Sequence, residues 1–364
     1  MQNHAFLELK GLSKRFHDFT ALHPIDLNVS EGEFLTIVGP SGSGKTTLIK
    51  LLVGMEEQSA GTISLRGKRL DTLPANQRPT CMVFQSLALF PHRSVGQNIE
   101  FPLKIKGVDA NARKKRAEEL LKLFRLPLDF YNKRISECSG GERQRIALAR
   151  ALAFDPEILF FDEPLSALDY RLRKTLEKEL KALHIRTGKT FVYITHSLEE
   201  AMVMSDRIAI LRAGKFEQIG PAHDIYARPN NRFVAEFMGD VNLFDFQVNP
   251  DSQRLQIDGI NRTNIQPTDI INPAGTGNLL MVRPEKIEFL KPEESADFEI
   301  DGEISAEYML GSRTQYEIRS SSGKLISVEH SSVTGHQREA SSQPTQVRLG
   351  FAIDHCHTIA ESAT

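Results

Sequence analysis

Residues 34–52 constrain the fold more strongly than any other stretch of the chain. Their sequence, FLTIVGPSGSGKTTLIKLL, gives a short apolar run, then Gly39, four further residues and Gly44-Lys45-Thr46, and finally leucines at helical spacing. A strand that runs through a glycine-rich turn into a helix is the context that a phosphate-binding loop requires. An ordinary Gly/Ser turn would need neither the lysine nor the threonine, so we interpret the stretch as a phosphate loop in an α/β domain.

Each residue type in this loop has a chemical reason. Glycines let backbone N–H groups turn inward around phosphate oxygens, and the helix that follows directs its positive end at the same anion. Lys45 supplies a point charge for the β and γ phosphates, and the Thr46 hydroxyl is placed to ligate Mg²⁺. The predicted nucleotide contacts in the loop are Gly39, Ser41, Gly42, Gly44, Lys45, Thr46 and Thr47.

Composition limits what can be attached to this loop. The chain has 364 residues, is 40% hydrophobic and carries a formal net charge of -2, as expected of a protein of about two domains. It has no apolar run of the ~18 residues that a membrane span needs, no signal-peptide pattern at its start and no CxxC pair. We therefore expect a cytoplasmic protein. The near-neutral charge predicts no nucleic-acid partner, and the basic residues 113–116 are interpreted as a solvated helix face.

Strands and helices alternate along the first two thirds of the chain. Predicted strands cover residues 6–9, 20–29, 62–65, 81–84, 158–161 and 191–195. Residues 94–153 show helical periodicity, with Pro102 and Pro127 expected as helix breakers, and are predicted to form an inserted helical subdomain. Phe16 is expected in the turn between the first two strands. From the residues alone, it is either an aromatic that stacks on a purine base or a core phenylalanine.

A second glycine-rich helix start follows at residues 138–142, Cys-Ser-Gly-Gly-Glu. Ser139 is near the N-cap position, so the helix start is suited to bind an anion, although it lacks a lysine. The chain therefore carries two half-sites for phosphate. The predicted contacts of the second half-site are Ser139, Gly140, Gly141 and Glu142.

Two adjacent acids, Asp162 and Glu163, end the apolar strand 158–161. Side chains of neighbouring strand residues point in opposite directions, so the two carboxylates can divide the work. Asp162 is predicted to hold Mg²⁺, and Glu163 to orient or deprotonate a water. The alternative, that the two acids are ordinary surface residues at a strand end, is less favoured because a strand this apolar is expected to be buried. His196 also ends a strand, a position that favours a role beside a nucleotide.

The helix predicted at residues 170–186 has Leu172, Leu176, Leu180 and Leu183 on one stripe and is interpreted as core packing. Glu177 and Lys181 are expected to pair, and Gly188 to end the helix.

With these motifs in order, residues 1–240 closely resemble the ATP-binding subunits of ABC transporters. Residues 39–46 match the Walker A motif, Gln85 the Q-loop, residues 139–142 the signature, residues 158–163 Walker B, residues 166–169 the D-loop and His196 the switch histidine. The position of Cys138 is usually leucine in this family, and Glu142 is a common variant of glutamine.

The resemblance implies a P-loop ABC ATPase fold that binds ATP and Mg²⁺ and works as a head-to-tail homodimer. The signature of one chain then covers the γ-phosphate held by Walker A of the other. It implies that Phe16 stacks on adenine, that Asp169 contacts nucleotide, and that Gln85 serves both the reaction and the metal. The implied sets are catalytic Glu163, His196 and Gln85, and metal-binding Thr46, Gln85 and Asp162.

The last third of the chain, residues 241–364, has short alternating strands separated by turn clusters at residues 272–277, 320–323 and 331–344. This pattern predicts a small all-β, OB-like barrel. Residues 282–285, Val-Arg-Pro-Glu, resemble a turn in the TOBE-type barrel of importer ATPases, which implies dimer contact and regulation. His355 and His357 are expected on one strand face, where two ligands without a third argue against a metal site.

The implied function is the energy-coupling ATPase of an importer, held at the cytoplasmic face of the inner membrane by integral permease subunits. A periplasmic or extracellular solute-binding protein would act indirectly. Residues 166–174, 179–183 and 233–244 resemble spermidine/putrescine importers most, with ferric iron, sulfate and sugar importers as alternatives. A soluble ABC protein of translation usually has two cassettes, a DNA-repair ATPase needs a long coiled coil, and a P-loop kinase has no use for the second helix start.

Two further hypotheses concern single segments. Leu89 and Phe90, beside Pro91, are expected to form an exposed apolar patch that meets the permease, with burial inside the subdomain as the alternative. Cys138 is expected either to be a reactive thiol, its pKa lowered by the helix start, or a small buried hydrophobe with a raised pKa.

Overall fold

The computed structural model describes residues 6–166, 168–248, 255–260, 262–263, 278–331 and 346–360. The chain divides into two units, Met1–His223 and Asp224–Thr364, and each is described by itself. The domain ranges predicted from the sequence, 1–240 and 241–364, remain predictions. No helix among the described residues is long and apolar enough to cross a membrane.

The first unit alternates strands and helices. Its strands are β1 Leu7–Phe16, β2 Phe19–Val29, β3 Phe34–Val38, β4 Ala60–Leu65, β5 Lys68–Arg69, β6 Thr80–Val83, β7 Ile158–Asp162, β8 Thr190–Ile194, β9 Arg207–Arg212 and β10 Lys215–Pro221. Its helices are α1 Lys45–Val53, α2 Val95–Ile105, α3 Ala110–Leu123, α4 Gly140–Leu152, α5 Tyr170–Thr187 and α6 Leu198–Met204, and α7 Ala222–Ala227 spans the division between the units.

A six-stranded sheet organises this unit, in the order β10-β9-β3-β8-β7-β6. Its strands from β9 to β6 are parallel, and β10 is antiparallel to β9. Both faces are buried: on β7, Leu159 and Phe161 pack with α2 to α5, whereas Ile158 and Phe160 pack with α1 and the antiparallel sheet β2-β1-β4-β5. Burial on two faces explains why these strands read as continuous apolar runs.

Two details of the first unit differ from the expectations, and a third agrees with them. Pro102 lies inside α2 instead of ending it, because a proline this late in a helix removes one hydrogen bond and leaves the preceding turns intact. Glu177 pairs with Lys174, so the predicted Glu177–Lys181 pair is wrong; Lys181 reaches Asp206 at 3.3 Å. The predicted C-cap at Gly188 is confirmed, with φ 61°.

The second unit begins with a short helical segment and continues as strands. Its elements after α7 are α8 Arg232–Phe237, β11 Asn242–Val248, β12 Leu255–Ile257, β13 Arg262–Thr263, β14 Leu279–Val282, β15 Glu288–Phe289, β16 Phe298–Met309, β17 Arg313–Ser320, β18 Leu325–Ser331, β19 Gln346–Phe351 and β20 Cys356–Ile359. They form sheets in the orders β12-β11-β14-β20 and β15-β19-β16-β17-β18, with β13 beside β16. The predicted β-rich domain is confirmed.

Arg283, in the turn that resembles the TOBE-type motif, has a structural role. Its guanidinium is buried and donates hydrogen bonds to the carbonyl oxygens of Tyr226, Ala235, Gly239 and Asp240. One side chain therefore fastens α8 and the segments around it to the strand β14 that precedes the turn. Such fork-like donation suits arginine and could not be reproduced by lysine.

Two other expectations for this unit concern histidines and turns. His355 ends a 3-10 turn, Ile353–His355, whereas His357 lies in β20, so the two do not share one strand. No group of three metal-ligating side chains occurs among the described residues. The turn cluster predicted at residues 272–277 lies outside the described part of the chain. So does the cluster predicted at residues 331–344, apart from Ser331, which ends β18.

Candidate nucleotide-binding site

The phosphate loop opens into a cleft of about 670 Å³ in the first unit. Its lining combines the loop, the β2 hairpin and two residues at the carboxyl ends of β7 and β8: Phe19, Ala21, Ser41, Gly42, Ser43, Gly44, Lys45, Thr46, Thr47, Glu163 and His196. Parallel strands bring their carboxyl ends to one edge of a sheet, which is why residues far apart in sequence meet here.

Two glycines of the loop are required by the backbone. A Cβ on Gly39 would lie 2.0 Å from the Leu211 carbonyl oxygen, and Gly44 has φ 104° with Ala21 O 2.8 Å from its Cβ position. Gly44 is also the N-cap of α1 and gives no side-chain capping bond. The first backbone N–H groups of α1 are therefore left for an external acceptor, as an anion-binding helix start requires.

Lys45 lies folded into this loop. Its Nζ donates hydrogen bonds to Gly39 O at 2.7 Å and Pro40 O at 2.9 Å, and only 7% of the residue is exposed. The pKa of Lys45 is lowered, because the effect of burial exceeds the opposing effect of the negative charges of Glu163 and Asp162. The ammonium is thus held by two neutral carbonyl oxygens, which are weaker partners than an anionic oxygen would be.

The carboxylates at the end of β7 form a half-buried acidic pair. Burial raises the pKa of Asp162, and the negative charge of Glu163 raises it further. The positive charges of Lys50 and Lys45 lower it but do not cancel the rise. A divalent cation would relieve this repulsion. Thr46 Oγ1, an Asp162 carboxylate and the Gln85 amide oxygen are hard oxygen donors of the kind that Mg²⁺ prefers, so the residues present fit that ion.

Glu163 and His196 meet across the cleft. His196 Nδ1 lies 3.2 Å from Glu163 Oε2, and the His196 side chain is 64% exposed. Glu163 adopts φ 46°, a left-handed backbone that is strained for a residue with a side chain. Its N–H donates to Ile194 O at 2.9 Å, which fixes the end of β7 beside β8. Both residues line the cleft in front of the phosphate loop.

Gln85 lies outside the cleft lining and connects to it through Ser166. Gln85 Nε2 donates to Ser166 Oγ at 3.0 Å, and Ser166 Oγ donates to Glu163 O at 2.9 Å. The segment after Gln85 is held by Arg150, which donates to the carbonyl oxygens of Leu87 and Ala88 at 2.6 Å each. Sequence reasoning missed Ser166 and Arg150 as links, because neither is adjacent to its partners in the chain.

Residues 139–142 begin α4 and do not line the cleft of their own chain. Ser139 Oγ accepts from Glu142 N at 3.3 Å, and Glu142 Oε2 accepts from Ser139 N at 2.7 Å, which is a reciprocal capping box. A Cβ on Gly141 would lie 3.0 Å from Leu172 Cδ1, so close packing of α4 on α5 also favours this glycine. Asp169 caps α5 by accepting from Leu172 N at 3.0 Å.

The aromatic at the mouth of the cleft is Phe19, which sequence reasoning missed. Phe16 is the last residue of β1 and is paired with Phe19 across the hairpin. Phe16 is 38% exposed with Lys14 Nζ 4.6 Å from its ring centroid, whereas Phe19 is 65% exposed. The only sequence signal for Phe19 was its position two residues before Ala21, on the same face of the strand.

For three residues the sequence left exposure and burial as alternatives, and the structure favours burial. Cys138 is 2% exposed, its Sγ lies 3.4 Å from Arg134 O, and burial raises its pKa. The alternative of a small buried hydrophobe with a raised pKa is therefore confirmed, and the lowering of its pKa by the helix start is wrong. Leu89 and Phe90 are half-buried, and the Phe90 ring packs 4.6 Å from Phe101. The helical subdomain covers these apolar side chains, which the local sequence alone did not predict.

Comparison with known proteins identifies the family. The ABC transporter model matches residues 22–166, and the TOBE domain model matches residues 280–359. The spermidine/putrescine import ATP-binding protein PotA of Roseobacter denitrificans is 44% identical over 77% of this chain and 78% of its own length. The chain belongs to the ATP-binding subunits of ABC transporters. This ABC ATPase therefore binds nucleotide and hydrolyses ATP.

Other relatives extend over nearly the whole chain. PotA of Rubrobacter xylanophilus is 40% identical over 96% of this ABC ATPase and 92% of its own length. Among solved structures, a dimeric post-hydrolysis ATP-binding cassette bound to ADP and Pi is 33% identical, with a TM-score of 0.52, over 59% of this chain and 98% of that one. The predicted P-loop ABC fold is confirmed.

Proposed function

We propose that this ABC ATPase is the energy-coupling subunit of a polyamine importer, most similar to those for spermidine and putrescine. The observation that carries the catalytic part is the meeting of Lys45, Glu163 and His196 in one cleft. The substrate class is supported by the relatives, which are named spermidine/putrescine import ATP-binding proteins. Those names favour polyamines over ferric iron, sulfate or sugar, and transport over translation or DNA repair.

In the proposed reaction, the chain binds ATP through the phosphate loop. The backbone N–H groups of the glycine-rich loop and the ammonium of Lys45 bind the β and γ phosphates. Ser41 and Thr47 lie beside the phosphates. Glu163 orients the attacking water and accepts its proton, or leaves that proton to a phosphate oxygen. The new bond forms between the water oxygen and the γ-phosphorus, the bond to the β-phosphate oxygen breaks, and ADP and inorganic phosphate leave.

His196 is proposed to contact the γ-phosphate through Nε2, the ring nitrogen that does not face Glu163. Its hydrogen-bond distance to Glu163 keeps the two groups in register before ATP enters. Thr46, Asp162 and Gln85 are the proposed ligands of Mg²⁺, which would neutralise charge on the phosphates when bound.

We propose a homodimer as the working unit, because each chain carries the signature away from its own cleft. Residues 139–142 begin α4 and line no part of the phosphate-loop cleft. In a head-to-tail pair, the signature and Asp169 of one chain would complete the site of the other. The dimeric cassettes among the similar solved structures support this arrangement.

We further propose that integral permease subunits hold this ATPase at the cytoplasmic membrane face, and that a separate solute-binding protein delivers the cargo. The segment from Gln85 to Phe101 is the proposed contact, since Gln85 is linked to Glu163 through Ser166. A bifunctional cross-linker attached at position 90 should capture a permease subunit. Because Phe90 is half-buried, cross-linking at this position should increase when bound nucleotide moves the segment and exposes the side chain. Failure to capture a permease subunit in any nucleotide state would contradict the contact.

The substrate is tested with the neighbouring binding protein and permease reconstituted with this ATPase in vesicles. Spermidine or putrescine with the binding protein should stimulate ATP hydrolysis and enter the vesicles. If a sugar, sulfate or ferric iron did so and polyamines did not, the substrate assignment would be wrong while the ATPase assignment held. Stable association with ribosomes or DNA in place of a permease would overturn the transport function itself.

A further inference from the structure

A buried carboxylate, Glu200, lies in α6 one turn after His196. Glu200 is 3% exposed, and its Oε2 accepts hydrogen bonds from the Tyr193 and Thr195 hydroxyls, each at 2.8 Å. Its Oε1 is 4.0 Å from Arg173 Nε. A carboxylate in a protein core needs donors and a cation to offset its lost hydration, and Glu200 has all three neighbours. None of the sequence motifs includes it.

Both neighbours of His196 are tied to Glu200. Thr195 Oγ1 donates to the carboxylate and accepts from Ser197 N at 3.0 Å, while Glu200 N donates to Ser197 Oγ at 3.3 Å. The His196 side chain is 64% exposed, so packing does not fix its ring. The backbone on either side of it, held through Thr195 and Ser197, sets where the imidazole lies relative to Glu163.

Arg173 carries the same network to the loop that precedes α5. Its Nη2 donates to Leu168 O at 2.9 Å, and its Nε, which faces Glu200, is buried with no hydrogen-bond partner in the described part of the chain. Leu168 immediately precedes Asp169, which caps α5. Glu200 thus lies between the His196 turn and the loop that ends at Asp169.

We propose that Glu200 is a positioning residue for ATP hydrolysis. Through Thr195 it holds His196 against Glu163, and through Arg173 it holds the loop before Asp169. Glu200 itself contacts neither substrate nor metal. This inference rests on the proposed function, in which Glu163 and His196 act at the γ-phosphate.

A matched pair of substitutions tests it. Thr195→Val and Tyr193→Phe each remove one hydroxyl that donates at 2.8 Å to the same Glu200 oxygen. Only Thr195→Val also releases Ser197 N and the turn around His196. We expect kcat to fall about tenfold in Thr195→Val with little change in KM for ATP, because small misplacement of a reacting group is costly. Tyr193→Phe should stay within about twofold of the parent.

A readout independent of activity is hydrogen exchange of the full chain without nucleotide. Amides of residues 195–198 should exchange faster in Thr195→Val and remain protected in Tyr193→Phe. Thr195→Ser, which keeps the hydroxyl, should restore both kcat and protection. Equal losses in Thr195→Val and Tyr193→Phe, or an unchanged kcat in Thr195→Val, would overturn the proposal.

Glu200→Gln provides a second variant if Thr195→Val does not fold. Its amide oxygen can accept both hydroxyls, but the charge facing Arg173 is lost, so exchange should rise at residues 168–169 and not at 195–198. If Glu200→Gln left the hydrogen-exchange protection of residues 168–169 unchanged, Glu200 would not hold this loop through Arg173. Glu163→Gln in the same assay separates the two levels. If Glu163→Gln hydrolyses ATP at a near-parental rate, the proposed role of Glu163 fails. If it does not, and Thr195→Val and Tyr193→Phe have equal kcat, this inference alone fails.

Discussion

The two glycine-rich helix starts of the first unit differ in how their backbone N–H groups are satisfied. At α1 the N-cap is Gly44, which gives no side-chain bond, and Lys45, Glu163 and His196 share the cleft in front of it. At α4 the N-cap is Ser139, whose capping box with Glu142 satisfies two backbone N–H groups, those of Ser139 and Glu142. The first start has no side-chain cap and faces a cleft of its own chain. The second start is capped by side chains and lines no part of that cleft.

This difference teaches that similar glycine patterns can have different local functions. Gly39 and Gly44 are required because a Cβ would collide with backbone oxygens at 2.0 and 2.8 Å. Gly141 instead has a side chain, Leu172, at 3.0 Å from its Cβ position, and nothing within 3.4 Å limits Gly140. The glycines of the phosphate loop are thus required by the backbone of neighbouring strands, β9 and β2. The second start is proposed to act at the site of a partner chain.

The largest expected effect is at the open start. Glu163→Gln should lower kcat by about 100-fold or more, because it removes the carboxylate that orients and deprotonates water, while ATP binding should persist and a closed dimer accumulate. Glu142→Gln is the matched control at the capped start, since glutamine can keep the capping box. Steady-state hydrolysis and size-exclusion chromatography with ATP measure both. Near-normal hydrolysis by Glu163→Gln would remove this residue from the mechanism.

Lys45→Ala should act before the chemical step. Loss of the ammonium removes charge-assisted bonds to the β and γ phosphates, so affinity for a fluorescent ATP analogue should fall roughly 10- to 100-fold. Lys68→Ala, which removes an exposed cation from β5, is the control and should bind normally. If both variants lost affinity equally, general positive charge would explain binding and the folded position of Lys45 would not matter.

Ser139→Ala tests the capped start. It should destabilise the chain by about 1 kcal/mol through loss of the N-cap and should also lower hydrolysis while leaving nucleotide binding at the phosphate loop intact. Asp109→Ala removes the N-cap of α3, where Asp109 accepts from Asn111 N and Ala112 N, and should have the same stability effect alone. Thermal unfolding and ATPase rates distinguish them. Equal rates in the two variants would confine Ser139 to capping.

A smaller effect concerns the base. Phe16→Ala should weaken ATP binding about fivefold through lost stacking on adenine, with hydrolysis at saturating ATP unchanged. Phe19→Ala is the matched variant, since the two residues pair across one hairpin and only Phe19 lines the cleft. Titration with the same fluorescent analogue compares them. A larger loss for Phe19→Ala would transfer the stacking role to Phe19.

The smallest effect is expected at Cys138. Its pKa is raised by burial, so the thiol stays protonated at neutral pH, and thiolate would form only as the pH rises above its ordinary value of about 9. Treatment with iodoacetamide at pH 7 should leave ATP hydrolysis unchanged in the parent and in Cys138→Leu. Inhibition of the parent alone, prevented by ATP, would show that the loop opens enough to expose the thiol.

Local patterns were sufficient for the parts of the fold that depend on neighbours in the chain. The apolar run before Asp162, the C-cap at Gly188 and the glycine-rich turn before Lys45 all follow from short-range rules of burial, capping and backbone freedom. These rules place the motifs on a strand, a helix end and a loop. The resemblance of these ordered motifs to those of ABC transporter ATPases implies the P-loop ABC fold, which the family comparison confirms.

Motif spacing along the chain identified candidate residues for the chemistry, but it did not predict which side chains lie close together. Phe19 joins Glu163 in one cleft, Lys181 pairs with Asp206 and not Glu177, and Cys138 is buried. The carboxylate of Glu200 lies beside the guanidinium of Arg173, which is distant in the chain. The physical reason is that burial and charge pairing are set by contacts between segments distant in the chain, and only the packed sheet and helices fix those distances.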